Sequence, residues 1–185
     1  MTKKSEFWLL SLALVLSRLL DIVLTYRITP DLKYEANPLV QFAGLGWSIL
    51  LLINLLVVLV SILLLAYSDK NNLSLFPKQQ DYQFKEFISH YLYNERDSFH
   101  KIYFVVPYNR SAILHFYGYL LVRTLIAWSL CIVTHNFCLL TWKAYRGFVV
   151  AHHTWAYLYL LLLPLTLFFF WKFFYNEFQV YRLQK

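Results

Sequence analysis

Long apolar runs, broken by short polar stretches, dominate this chain. Four of them are long enough to cross about 30 Å of hydrocarbon, which takes roughly 20 helical residues. They cover residues 7–28, 39–67, 112–140 and 148–171. Apolar residues are continuous within each run, without the alternation of barrel strands. A lipid-exposed segment must also satisfy its own backbone, and a helix does so. The pattern therefore predicts an all-α membrane protein, one transmembrane domain of four helices over residues 1–185. The first run exceeds the apolar region of a signal peptide, and no small-x-small cleavage site follows it. It is expected to be a retained helix.

The polar stretch 68–111 is the largest outside the runs. Within it Phe84, Phe87, Ile88, Tyr91 and Leu92 recur at helical spacing, while Lys85, Glu86, Ser89 and Glu95 fall elsewhere on the wheel. That spacing predicts a short amphipathic helix lying on the membrane surface. Residues 101–107, KIYFVVP, read as a short extended or interfacial piece. The stretch is too small for an independent core. It reads as a structured connector, or as a surface on which a partner docks. No internal repeat or low-complexity tract is evident.

Composition agrees with the pattern. Of 185 residues, 59% are hydrophobic and 15% charged, whereas soluble domains are roughly half apolar and a quarter charged. The net charge of +7 raises the possibility of nucleic acid. The basic residues flank apolar runs instead of forming a stripe, so the partner they suit is the lipid bilayer and not nucleic acid. Their distribution sets an orientation. Lys3 and Lys4, six residues in the 68–111 stretch, and Lys172, Arg182 and Lys185 place eleven charges on one side. Arg27, Lys33, Lys143 and Arg146 place four on the other. The positive-inside rule puts both termini and the 68–111 loop in the cytoplasm, in a multi-pass protein of the plasma or cell inner membrane. Trp8 and the aromatic cluster at 168–175 suit the inner interface, and Trp47, Trp142 and Trp155 the outer one.

Several polar residues interrupt the spans. A charge at the centre of a span costs roughly 2.5–3.5 kcal/mol on insertion scales and usually faces the bundle interior. Arg18 and Asp21 lie three apart on one face of the first span, with Thr25 one turn further. In the orientation above, Asp21 lies about 12 Å below Thr29 at 1.5 Å per residue, in the outer half. Glu35 and Asn37 lie in the first outer loop. His135 and Asn136 sit about 8 Å from the outer end of the third span, and His152 with His153 about 6–8 Å into the fourth. Topology alone thus brings these residues to one depth. Adjacent histidines diverge by about 100° on a helix, so at most one of His152 and His153 reaches a shared centre. Arg123 falls in the inner half.

Carboxylates and imidazoles together suit Zn²⁺ or another divalent metal, with Asp21, Glu35, His135 and His152 as the expected ligands. Such a metal makes a bound water nucleophilic, and Asp21 or Glu35 becomes ligand or general base. Without a metal the same residues form a His–carboxylate proton relay. A Cys138 thiolate beside a histidine is a third option. Arg18, Thr25, Asn37, Asn136, Arg123 and Cys138 are candidate substrate-binding or supporting residues. Structural readings stand beside these. Arg18 and Asp21 neutralise each other, His135 bonds a neighbouring helix, Glu35 favours the next helix N-terminus, and Arg123 snorkels inward or counters a carboxylate. Cys131 and Cys138 are small apolar residues, about 10 Å apart along one helix and unable to bridge. No H-E-x-x-H, Gly-x-Ser-x-Gly or phosphate-loop pattern occurs.

The first hairpin also carries a motif. Asp21-x-x-x-Thr25 ends the first span, and Glu35-x-Asn37-Pro38 opens the second. Over roughly residues 19–55 this resembles an uncharacterised family of small bacterial and archaeal membrane proteins. Those loops more often carry glycine than the loop here, residues 28–33. The family has no assigned activity; the resemblance implies that Asp21, Thr25, Glu35 and Asn37 act together. The leading expectation is a small membrane-embedded enzyme, a metal-assisted hydrolase or transferase on a lipid-linked or membrane-bound substrate. The alternatives are a homo-oligomeric transport or channel subunit, and an accessory subunit that docks a protein partner through its cytoplasmic loop.

Overall fold

The computed structural model describes residues 3–32, 40, 44–68, 75–78, 81–107, 109–152 and 155–183. Helices α1 (Lys3–Ile28), α2 (Trp47–Ser68), α3 (Phe84–Tyr93) and α4 (Arg110–Thr141) are followed by α5 (Lys143–His152), α6 (Trp155–Leu160) and α7 (Leu162–Leu183). A 3₁₀ turn spans Phe99–Tyr103. No strand occurs among the described residues. Four segments are long and apolar enough to cross a membrane: Lys4–Ile28, Trp47–Ser68, Arg110–Thr141 and Tyr157–Leu183. They expose Leu19, Leu55, Leu63 and Leu163, which suits a hydrocarbon solvent and not water.

The longest helix, α4, is the hub and packs against α1, α2 and α7. Its approach to α2 is close because Gly118 has no side chain. A Cβ there would lie 2.2 Å from the Leu64 carbonyl oxygen and 2.8 Å from Ser68 Cβ. Without a hydrophobic force between helices in lipid, such small-residue contacts carry much of the association. Leu14, Leu65 and Val122 fill the space where α1, α2 and α4 meet.

Two span boundaries differ from the hydrophobic pattern. The second spanning helix starts at Trp47, not at residue 39. Residues 44–46 are not helical, and Gly44 sits at φ +62°, a left-handed conformation that glycine adopts without penalty. The fourth apolar run is divided. Residues 143–152 form helix α5, and among the described residues the spanning segment is Tyr157–Leu183, with a turn inside it. The cause of the turn at Leu161 is Pro164. It has no N–H for the carbonyl of Leu160, and its ring crowds that carbonyl. The chain turns at Leu161, and Pro164 falls in the first turn of α7, where a missing N–H is tolerated.

Helix α3 forms where its apolar spacing predicts, but its apolar face is not laid on a membrane surface. Phe87, Ile88, Tyr91 and Leu92 are buried with Phe173, Phe174 and Tyr181 of α7 and Ala112 of α4. The rings of Phe87 and Tyr181 lie 5.3 Å apart, and those of Tyr91 and Phe174 5.7 Å. The connector therefore shares a core with the helix ends. Tyr93 donates to the Val105 carbonyl at 2.8 Å, and the Asn109 amide to the Tyr91 carbonyl at 3.2 Å, tying the following turn to α3.

The start of α3 carries a pH-sensitive contact. The Gln83 N–H donates to Glu86 Oε2 at 2.7 Å, and Arg96 Nε donates to Glu86 Oε1 at 2.9 Å. The Arg96 bond, followed by the Gln83 bond, holds the Glu86 carboxyl below its ordinary 4.5. A lowered pKa stabilises the fold above the ordinary value, and that contribution is lost as pH falls through the lowered one. Amide protection factors at Gln83–Phe87, taken relative to the unfolded chain at each pH, are therefore expected to fall on acidification below about pH 4.5. Glu86→Gln should remove that dependence. An unchanged acid response in the variant would show that other groups control it.

Candidate functional site

The polar residues of α1 repeat at one helical face, and that face looks into the bundle. A cavity of about 320 Å³ is lined there by Arg18, Asp21 and Thr25 of α1, Asn54 of α2, and His135 and Asn136 of α4. Trp47, Trp128 and Tyr159 add aromatic wall, with Tyr159 coming from α6. The cavity runs from Arg18, Val57 and Leu125 to Thr29 and Trp47 at one end of the bundle, roughly 16 Å along α1 at 1.5 Å per residue.

The wall is a connected hydrogen-bond network. Arg18 Nη1 lies 3.2 Å from Asp21 Oδ2, with each side chain 13% exposed. The same nitrogen donates to Ser129 Oγ at 3.2 Å, and Nη2 donates to Asn54 Oδ1. The Asn54 amide nitrogen donates to the Leu50 carbonyl at 2.9 Å, which fixes the amide so that its oxygen faces Arg18. Asp21 Oδ1 accepts from the Thr25 hydroxyl at 3.4 Å, and Thr25 Oγ1 in turn accepts from Asn136 Nδ2 at 3.3 Å. Next along α4, His135 Nδ1 and the Tyr145 hydroxyl lie 2.7 Å apart. Three helices and α5 are thus joined through side chains. Arg18 Nε is buried with no hydrogen-bond partner among the described residues. The aromatic wall is fixed too. Trp128 donates to the Leu158 carbonyl at 3.3 Å, with its ring 5.6 Å from that of Tyr159. Trp47 donates to the Pro30 carbonyl at 2.8 Å.

Five candidates from the sequence meet at this cavity: Arg18, Asp21, Thr25, His135 and Asn136. Three do not. His152 ends α5 outside the four spanning segments and is exposed, its ring 4.7 Å from Phe148. It does not line the cavity. Cys138 is a half-buried free thiol that does not line the cavity. Arg123 points elsewhere. It pairs with Glu6 and stacks over the Tyr119 ring at 3.8 Å, countering a carboxylate at the other end of α1. Glu35, Asn37 and His153 lie outside the described residues. Among the described residues no three His, Cys, Asp or Glu side chains group as metal ligands. The set Asp21, Glu35, His135 and His152 is therefore not assembled there, since His152 stands away from Asp21 and His135.

The sequence reading passed over Asn54, Ser129 and Tyr145. Asn54 carried a usable signal, being the one amide in the very apolar Trp47–Ser68 span, where such a group needs an interhelical partner. Ser129 and Tyr145 carried none, since neither is unusual for its position. No protein-family model matches this chain, and no curated protein or solved structure matches it either. The likeness of the first hairpin is thus one of motif and assigns no membership.

Proposed function

We propose that this chain is a small membrane-embedded enzyme, a hydrolase or transferase that works on the head group of a lipid or lipid-linked substrate. One observation carries the reading: a charged and amide-lined cavity lies within helices that are otherwise apolar. Its volume, about 320 Å³, is near the lower end of ligand pockets. That is room for a polar head, with the acyl or prenyl part left in the bilayer. Buried ion pairs are poor stabilisers compared with well-packed apolar residues, so the Arg18–Asp21 pair supports a role beyond folding. Asp21 and His135 supply the carboxylate and imidazole on which proton transfer draws. The motif resemblance adds Glu35 and Asn37 as candidates to work with them. A metal-assisted version needs at least one ligand more than Asp21 and His135. The charge asymmetry of the loops supports placing the cavity towards the outer face, with both termini in the cytoplasm.

The test is to purify the chain in lipid nanodiscs and identify co-purifying amphiphiles and their products by mass spectrometry. Ile132 lines the cavity, and Ile132→Trp fills it. The wild type is expected to carry a defined amphiphile class that Ile132→Trp loses while keeping its helicity. Asp21→Asn and His135→Ala should retain the amphiphile but leave it unconverted. Identical amphiphiles in the wild type and Ile132→Trp would remove the basis for the proposal.

A further inference from the structure

Resting on that reading, we infer that the head group accepted is uncharged and polyhydroxylated, a glycosyl or polyol head on a lipid anchor, in preference to a phosphate. Among the described residues the wall holds two full charges, Arg18 and Asp21, and they cancel at 3.2 Å. The Arg18 fork is already committed: Nη1 to Asp21 and Ser129, Nη2 to Asn54. A phosphate would bring one to two negative charges into the wall with no uncommitted cationic fork among the described residues to meet them. A desolvated charge without a partner is costly.

Hydroxyls fit the same wall. Each donates once and accepts twice, and the wall offers both kinds of group. Asp21 is an acceptor with about four lone-pair sites, of which Arg18 and Thr25 occupy part. Asn136 donates to Thr25 and keeps its carbonyl as an acceptor. A sugar also has apolar C–H faces, and Trp47, Trp128 and Tyr159 supply flat apolar surface on the wall. Few polar groups convergent on an aromatic-lined hollow is the usual make-up of an orienting site.

The test uses the full chain in nanodiscs with two probes of equal chain length, octyl β-glucoside and octyl phosphate, each below its micellar concentration. Tryptophan fluorescence and thermal unfolding report binding. Octyl glucoside is expected to bind saturably and at least about tenfold more tightly than octyl phosphate, a difference of about 1.4 kcal/mol. Asn136→Leu should weaken the glucoside by a similar factor while the chain still unfolds cooperatively. Octyl phosphate binding as tightly or more tightly would overturn the polyol inference and leave a head-group site in place. Failure of both probes to bind saturably would overturn the reading of the cavity itself.

Discussion

Gly118→Ala is expected to lower the midpoint of thermal unfolding, although alanine is the better helix former. Propensity alone favours alanine by about 0.8–1.0 kcal/mol in a helix interior. Packing opposes it. The new Cβ would lie 2.2 Å from the Leu64 carbonyl oxygen, and that oxygen belongs to backbone, which cannot rotate away as a side chain can. Helix α2 must back off by more than an ångström, and overpacking of this kind costs about 1–3 kcal/mol. The contact with backbone places this case at the upper end, so the net sign is destabilising. Gly118→Val should prevent α2 from docking. Gly147→Ala in α5 is the control, since nothing lies within 4 Å of the added Cβ and the substitution should be neutral or stabilising. Circular dichroism melts in mild detergent would decide. A higher midpoint for Gly118→Ala would mean that the two helices do not cross so closely. The same displacement should disturb the cavity, because α2 carries Trp47 and Asn54.

The ion pair gives the second large effect. Arg18→Leu leaves Asp21, 13% exposed, with Thr25 as a partner but no counter-charge. Removing one member of a buried pair costs about 3–5 kcal/mol. The double variant Arg18→Leu/Asp21→Leu should recover most of that loss, because apolar replacement of a whole pair is often neutral or stabilising. Unfolding of the two single variants and the double variant, measured side by side, gives the coupling. Under the proposed function the double variant is stable yet neither holds nor converts the head group. A double variant that still converts the substrate would reduce the pair to a device for folding.

Some of this was legible in the residues. The first and third spans lie where apolar runs place them, and Gly118 aside they need no special packing to form. Thr25 of α1 bonds both Asp21 on its own helix and Asn136 of α4. Depth is readable because an α-helix rises 1.5 Å per residue whatever surrounds it. Depth does not say which face of a helix turns inward, and His152 does not line the cavity.

Azimuth was not legible in the same way. Cys138 lies two residues from Asn136 on the same helix, yet only Asn136 lines the cavity. Which side of α4 turns inward follows from Gly118 against Leu64 on one neighbour and from Leu14 and Val122 on another. Helix α3 makes the same point, since its apolar stripe fits a membrane surface and an aromatic core equally well. The sequence therefore settled element type and the presence of four apolar spans, which follow from local hydrophobic pattern and helical backbone geometry. Packing settled which faces meet, through contacts between residues far apart in the chain. It buried α3 against α7, seated Asn54 on Arg18, and closed Asp21, His135 and Asn136 around one cavity.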